Sequence, residues 1–177
     1  RLPVRTSAEL AAVLQKILAY ESKQYGRSAV FAADKLDGGV SFAAQSDAFA
    51  DRMGPNWSVQ RVYLDLMPLA AARRALVDAI NGGAALTAYV GHSSLDRWSF
   101  SRLLQGSDAA LLANSGKPTV VAQWGCWNTY FVSPAADSMA HRFLLAGDRG
   151  AAAVLGASTL TLTASEQALG ASLIPRL

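Results

Sequence analysis

Apolar positions follow two rhythms along this chain. Near the start, Leu10, Val13, Leu14, Ile17 and Leu18 recur at i, i+3, i+4, i+7 and i+8, which predicts an amphipathic helix over roughly 6–25. Thr6 and Glu9 ahead of it form a T-x-x-E capping box. The second rhythm is a short, unbroken apolar run. Ala29–Ala33 is a run of this kind, and Leu86–Val90, Thr119–Trp124, Ala151–Leu155 and Val59–Leu66 read as further strands. Between them lie segments of helical length: 46–53, 69–81 stopped by Gly82-Gly83, a short one at 99–104, and 134–145 opened by Pro134. The stretch Asp37-Gly38-Gly39 reads as a loop.

Strands apolar on both faces, separated by helices, call for a mostly parallel sheet covered on each side. The expected fold class is therefore α/β: a doubly wound sheet flanked by helices, a flavodoxin-like or caspase-like three-layer sandwich. Right-handed crossovers leave few orders, and 2-1-3-4-5 is the simplest, with its switch point between the first and third strands. Ligands in such folds bind beyond the carboxyl ends of the strands. The residues placed there are Asp34, His92, Cys126 and Ser158. Adjacent third and fourth strands bring His92 and the sole cysteine to neighbouring loops.

Composition narrows the field. Of 177 residues, 51% are hydrophobic and 16% charged, which excludes a disordered chain and permits a sizeable core. The net charge of +3 is scattered and forms no nucleic-acid stripe. No apolar run approaches the roughly 18 residues of a membrane span, so no membrane insertion by this segment is expected. A single cysteine builds neither an internal disulfide nor a multi-cysteine zinc site, and no metal site is expected from it. The chain opens at Arg1-Leu2-Pro3-Val4 and closes in mid-pattern at Ile174-Pro175-Arg176-Leu177. It reads as a single domain, 1–177, cut from a longer protein.

Cysteine and histidine side by side have a recognisable use. The imidazole promotes the nucleophilic thiolate and later protonates a leaving amine. The backbone N–H groups of Ser93 and Cys126 are candidates for stabilising an acyl oxyanion. The alternative is an inert thiol packed like any small hydrophobe. A nucleotide-binding reading is disfavoured, because neither G-x-G-x-x-G nor G-x-x-x-x-G-K-[ST] follows the first strand. Other polar residues have plainer explanations. His141 sits among Met139, Phe143 and Leu144 as a packing or surface residue, Asp96 is a solvated turn residue before it is a partner of His92, and Arg73-Arg74 is a solvated helix face.

The segments Tyr89-Val90-Gly91-His92-Ser93-Ser94 and Trp124-Gly125-Cys126-Trp127-Asn128-Thr129-Tyr130-Phe131 resemble the two motifs of gingipain-type cysteine peptidases, relatives of the caspase fold. That family carries Y-x-G-H-G-S around its histidine and C-x-N-G-x-F around its cysteine. The resemblance runs on through Arg1–Thr6, Lys16–Glu21, Asn81–Gly83, Leu112–Asn114 and Gly150–Val154, and so covers nearly the whole chain. It implies the catalytic subdomain of an endopeptidase, with Cys126 as nucleophile, His92 as proton-transfer group, a polypeptide substrate and other domains of the same parent chain as partners. It also implies a secreted, periplasmic or cell-surface location in a bacterium. Ser93 and Thr129 stand where the family usually has glycine. If position 93 needs a positive φ, serine adopts it at a cost, and the alternative is a catalytically inactive binding or scaffold module.

Family members known for cutting after arginine or lysine need an acid in the primary pocket. Here Gly39–Ala44 holds no carboxylate, and Thr159–Thr163 is hydroxylic and apolar. A non-basic or hydrophobic primary specificity is expected. The pocket candidates are Asp34, Asp37, Phe42, Trp98, Trp127, Thr159 and Thr161, with the two aspartates able to restore a basic preference. No cofactor is required by this chemistry. The resemblance also implies calcium as a structural ion, for which Asp34 and Asp37 are the candidate ligands.

Overall fold

The structure is a computed structural model and describes residues 1–22, 26–133 and 135–177. In chain order it contains α1 (Ser7–Ser22), β1 (Ser28–Ala33), α2 (Phe42–Ala50), β2 (Ser58–Tyr63), α3 (Leu69–Gly82) and β3 (Leu86–Val90). Three two-residue strands follow, β4 (Ser93–Ser94), β5 (Arg97–Trp98) and β6 (Leu104–Gln105), and then α4 (Gly106–Ala109). The chain ends with β7 (Thr119–Trp124), α5 (Met139–Leu144), β8 (Ala151–Gly156), α6 (Thr163–Leu173) and a 3₁₀ turn over Ile174–Arg176. The long strands form one parallel sheet in the order β2-β1-β3-β7-β8, which is the expected 2-1-3-4-5.

Successive residues of a strand point to opposite faces, so an unbroken apolar run fills two cores at once. On one face Val30, Ala32, Val62, Tyr89 and Val121 pack with Ala72, Leu76 and Ile80 of α3 and with Met139 and Phe143 of α5. On the other, Ala29, Phe31, Ala33, Ala88, Val90, Ala122 and Trp124 meet Phe42 and Phe49 of α2 and Ile174 of the terminal turn. The result is the three-layer sandwich anticipated from the pattern.

Several boundaries move, each for a local reason. The helix expected at 46–53 is α2 and begins four residues earlier, because the Ser41 hydroxyl accepts from Ala44 N and caps it there. The strand expected to reach Leu66 ends at Tyr63, whose carbonyl accepts from both Leu66 N and Met67 N in a turn. No helix forms over 99–104. Ser99 and Arg102 take φ of 66° and 61°, which no right-handed helix accommodates, and the segment joins β5 to β6 instead. The helix expected from Pro134 runs from Met139; Pro134 lies outside the described residues, as do 23–25 at the end of the first predicted helix. Helix α6, absent from the sequence reading, lies against α2.

Helix α1 carries the largest surprise. Leu14 and Leu18, expected inside, are 44% and 62% exposed, whereas Lys16 is 2% exposed. Its Nζ donates to the carbonyls of Phe143 (3.4 Å), Leu144 (2.5 Å) and Arg149 (2.9 Å), capping the end of α5 where no further helical N–H is available. Burial lowers the Lys16 pKa to about 8 from 10.5, with the Asp148 charge opposing that fall. Because the folded value lies below the unfolded one, the unfolded chain binds more protons between pH 8 and 10.5. Stability contributed by this group therefore rises with pH across that window and is flat below it. Urea titrations of the parent and a Lys16→Met variant should diverge in the parent's favour from pH 8 to 10.5; a pH-independent difference would refute this.

Candidate active site

The site is built by two backbone bends at the ends of β3 and β7. The strands stay in register to Val90 and Trp124, and Gly91 N still donates to Trp124 O (3.0 Å). Beyond that the two bends touch. A Cβ on Gly125 would run into the Gly91 carbonyl and the Ser93 hydroxyl, so only glycine permits this approach. The Ser93 hydroxyl donates to Cys126 O (2.6 Å). Asn128, fully buried, donates from Nδ2 to Gly125 O (2.9 Å) and the Ser93 hydroxyl (3.2 Å), while its Oδ1 accepts from Ala157 N (3.2 Å). Trp127 N and Thr129 N donate to Thr159 O and Ala157 O, tying the same bend to the segment after β8.

The strain anticipated at Ser93 is absent. Positive φ falls on Gly91 (152°) and Trp127 (62°), and on neither Ser93 nor Thr129. Ser99 N donates to His92 O (2.7 Å), which makes Ser93–Trp98 a non-hydrogen-bonded pair of the small antiparallel sheet. The Ser93 N–H is thereby turned away from β5. Among the described residues the Cys126 N–H has no acceptor.

His92 is 38% exposed on its side chain and closely held. Its Nε2 meets Asp37 Oδ2 at 2.9 Å, its ring stands edge-on to Phe42 at 5.1 Å and stacks over Phe100 at 4.8 Å. Among the described residues Nδ1 has no hydrogen-bond partner. Tyr89 Oη donates to the His92 carbonyl (2.6 Å). Asp34 lies buried behind this loop and accepts from Ser99 Oγ (2.7 Å) and Lys35 N (2.8 Å), with Tyr89 Oη 3.5 Å from its Oδ2. Burial, and then the Asp34 charge, push the Tyr89 hydroxyl well above its ordinary pKa.

Cys126 is half-buried, and its Sγ lies against Thr161, 3.4 Å from the N and 3.5 Å from Oγ1. Thr161 Oγ1 in turn donates to Glu166 Oε1 at 2.7 Å. Burial raises the Glu166 pKa, and the Thr161 bond partly offsets the rise. The thiol and the imidazole make no hydrogen bond with each other. Beside Thr161 opens a cavity of about 370 Å³ lined by Trp124, Leu155, Leu160, Leu162 and Glu166 among others.

The sequence-derived candidates sort as follows. Thr161 lines that cavity, and Ser158 borders a second one of about 250 Å³ with Phe131. Trp98 is not a pocket wall: it is fully buried, stacked on Tyr89 at 4.7 Å, with Nε1 donating to Gln123 Oε1. Phe42 is buried under His92, Trp127 packs edge-on to Tyr130, and Thr159 is exposed and gives only its carbonyl. Asp37 is the partner of His92, and together with Asp34 and His92 it lines a further cavity of about 220 Å³. Asp34 Oδ1 accepts from Ser99 Oγ and Lys35 N, Asp37 Oδ2 meets His92 Nε2, and among the described residues no three His, Cys, Asp or Glu converge for a metal. Asp96 engages Ser94 and Arg97, and His141 caps α5 through Ser138. Sequence reasoning missed Glu166, because it recognised no helix over 163–173.

A doubly wound α/β sheet with a thiol and an imidazole on the ends of adjacent strands has the catalytic-domain fold of caspase-like cysteine peptidases. The chain belongs to peptidase family C25, whose sequence model matches residues 1–177. Among solved structures it is similar to the Arg-specific cysteine proteinase gingipain R, at 17% identity and a TM-score of 0.77, over 93% of this chain and 40% of that one. It is also similar to the complex of Porphyromonas gingivalis RgpB pro- and mature domains (19% identity, TM-score 0.75, 93% and 41% covered). A further protease structure matches at 16% identity and a TM-score of 0.74, over 95% of this chain and 38% of that one. The chain thus spans about two-fifths of the length of each of these structures. No curated protein matches it. Among the described residues no helix is long and apolar enough to cross a membrane.

Asn128 is the test of the joined bends. Asn128→Ala strands Gly125 O and Ala157 N, and buried unpaired groups cost about 1–3 kcal/mol each. A urea midpoint indistinguishable from the parent's would show that the bends hold together without it.

Proposed function

We propose that the chain is the catalytic part of a cysteine endopeptidase, with Cys126 the nucleophile and His92 the proton carrier. The observation that supports this best is the pinning of the His92 and Cys126 bends to each other through Ser93 Oγ and Cys126 O. Asp37 engages Nε2 and so fixes the ring's orientation and tautomer, leaving Nδ1 for proton transfer. Cys126 Sγ attacks the scissile carbonyl as its proton passes to His92. The Ser93 and Cys126 N–H groups stabilise the oxyanion, and the imidazolium protonates the departing amine. Water then cleaves the thioester with His92 as base, returning the thiol.

The cavity beside Thr161 receives the substrate side chain preceding the cut. Its walls of Trp124, Leu155, Leu160 and Leu162 favour a non-basic, apolar group. Its one carboxylate, Glu166, already accepts from Thr161, and burial disfavours its charge. The substrate is a polypeptide, and remaining parts of the parent chain are the expected partners, as a pro-domain is in the RgpB complex. We place the parent outside the cytoplasm or on the surface of a bacterium. The competing reading, an inactive scaffold, draws on the thiol's bonding to Thr161 in place of His92.

A peptidyl chloromethyl ketone with an apolar group before the reactive carbon separates the two. Intact-mass measurement should show one adduct, on Cys126. Labelling should slow about 100-fold or more in His92→Ala and about tenfold in Asp37→Asn, in keeping with the usual value of a positioned acid–base group. Equal labelling rates in the parent and His92→Ala would leave the scaffold standing.

A further inference from the structure

Thr161 has one hydroxyl proton and gives it to Glu166 Oε1 at 2.7 Å. Its oxygen can then only accept from the Cys126 thiol, 3.5 Å away. The three side chains therefore form a directed chain, S–H to O–H to carboxylate. We propose that Glu166, acting through Thr161, is a positioning residue that holds the Cys126 thiol in a protonated resting orientation, turned from His92. The proposal rests on the reading of Cys126 as the nucleophile.

The balance of protons defines the device. Ionising the thiol while Glu166 is charged leaves sulfur facing an oxygen lone pair and a second negative charge, so the thiolate is disfavoured there. If Glu166 instead carries a proton, or is replaced by an amide that donates to Thr161 Oγ1, the hydroxyl proton turns to sulfur and favours the thiolate. No bond other than S–H and O–H changes, and no oxidant or reductant enters. The Thr161 N–H, 3.4 Å from Sγ, holds the sulfur in either form. Among the other titratable groups, buried Tyr89 feels the Glu166 charge, and His92, with Asp37 on its Nε2, stands on the bend after the neighbouring strand.

The test is the rate of iodoacetamide alkylation of the folded chain as a function of pH, in Glu166→Gln, Thr161→Val and Thr161→Ser. Alkylation reads the thiol whether or not any peptide is hydrolysed, so failure of the peptidase reading and failure of this one are separable. In Glu166→Gln and Thr161→Val the profile should move about one pH unit lower. The gain at pH 7 should be roughly three- to tenfold, below the full rise in thiolate because nucleophilicity falls with basicity. Thr161→Ser keeps the hydroxyl and should follow the parent. Profiles of the first two variants that superimpose on the parent's, or move to higher pH, overturn the proposal. So does a Glu166→Gln variant whose only change is lost cleavage after lysine or arginine, which would make Glu166 a substrate-reading acid.

Discussion

The functional end of this domain depends on how closely two backbone bends approach. Gly91 and Gly125 meet with no room for a side chain, and Ser93 Oγ on Cys126 O bonds one bend to the other. Asn128 occupies the space beneath and answers Gly125 O on one side and Ala157 N on the other. A buried amide bonded at once to Gly125 O, the Ser93 hydroxyl and Ala157 N leaves these loops little freedom to drift apart, because every departure strands a donor or acceptor away from water. The hydrophobic sheet sets the direction of the strands, and this polar knot sets where their ends lie.

Around the knot, charges are placed by what surrounds them. Asp37 is exposed enough to remain hydrated while it holds His92, whereas Asp34 is buried and accepts from Ser99 Oγ, which braces the segment that follows the imidazole. Glu166 sits between these extremes, with one partner and a cavity on its other side. Three carboxylates at this end of the sheet thus stand in different surroundings, set by burial and by which donors reach them. Ser93 and Thr129, where glycine is usual in the family, create no backbone conflict, and Ser93 supplies the hydroxyl that joins the bends.

The strand order was legible because it rests on local facts. Ala29–Ala33 is apolar at every position and Leu86–Val90 at all but Thr87, which suits strands covered on both faces, and the helix-length intervals favour parallel crossovers. Segment 99–104 misled because its apolar content hides two residues in left-handed backbone, Ser99 and Arg102. Helix α1 misled in another way. Its leucine stripe is real, but Lys16 donates to the Phe143 and Leu144 carbonyls at the end of α5 and to Arg149 O beyond it, a reach across 128 residues to Leu144 that no periodicity reports.

From the sequence alone came the doubly wound sheet and the placement of His92 and Cys126 on neighbouring strand ends, since both follow from short-range pattern and chain topology. Tertiary structure alone decided which polar groups meet. Asp37 rather than Asp96 reaches His92 across 55 positions, Thr161 rather than His92 faces the thiol across 35, and Glu166 stands behind it. Such pairings depend on where distant loops come to rest, and a hydrogen bond is settled within a few tenths of an ångström. Hydrophobic periodicity specifies which face a residue occupies, not that final approach.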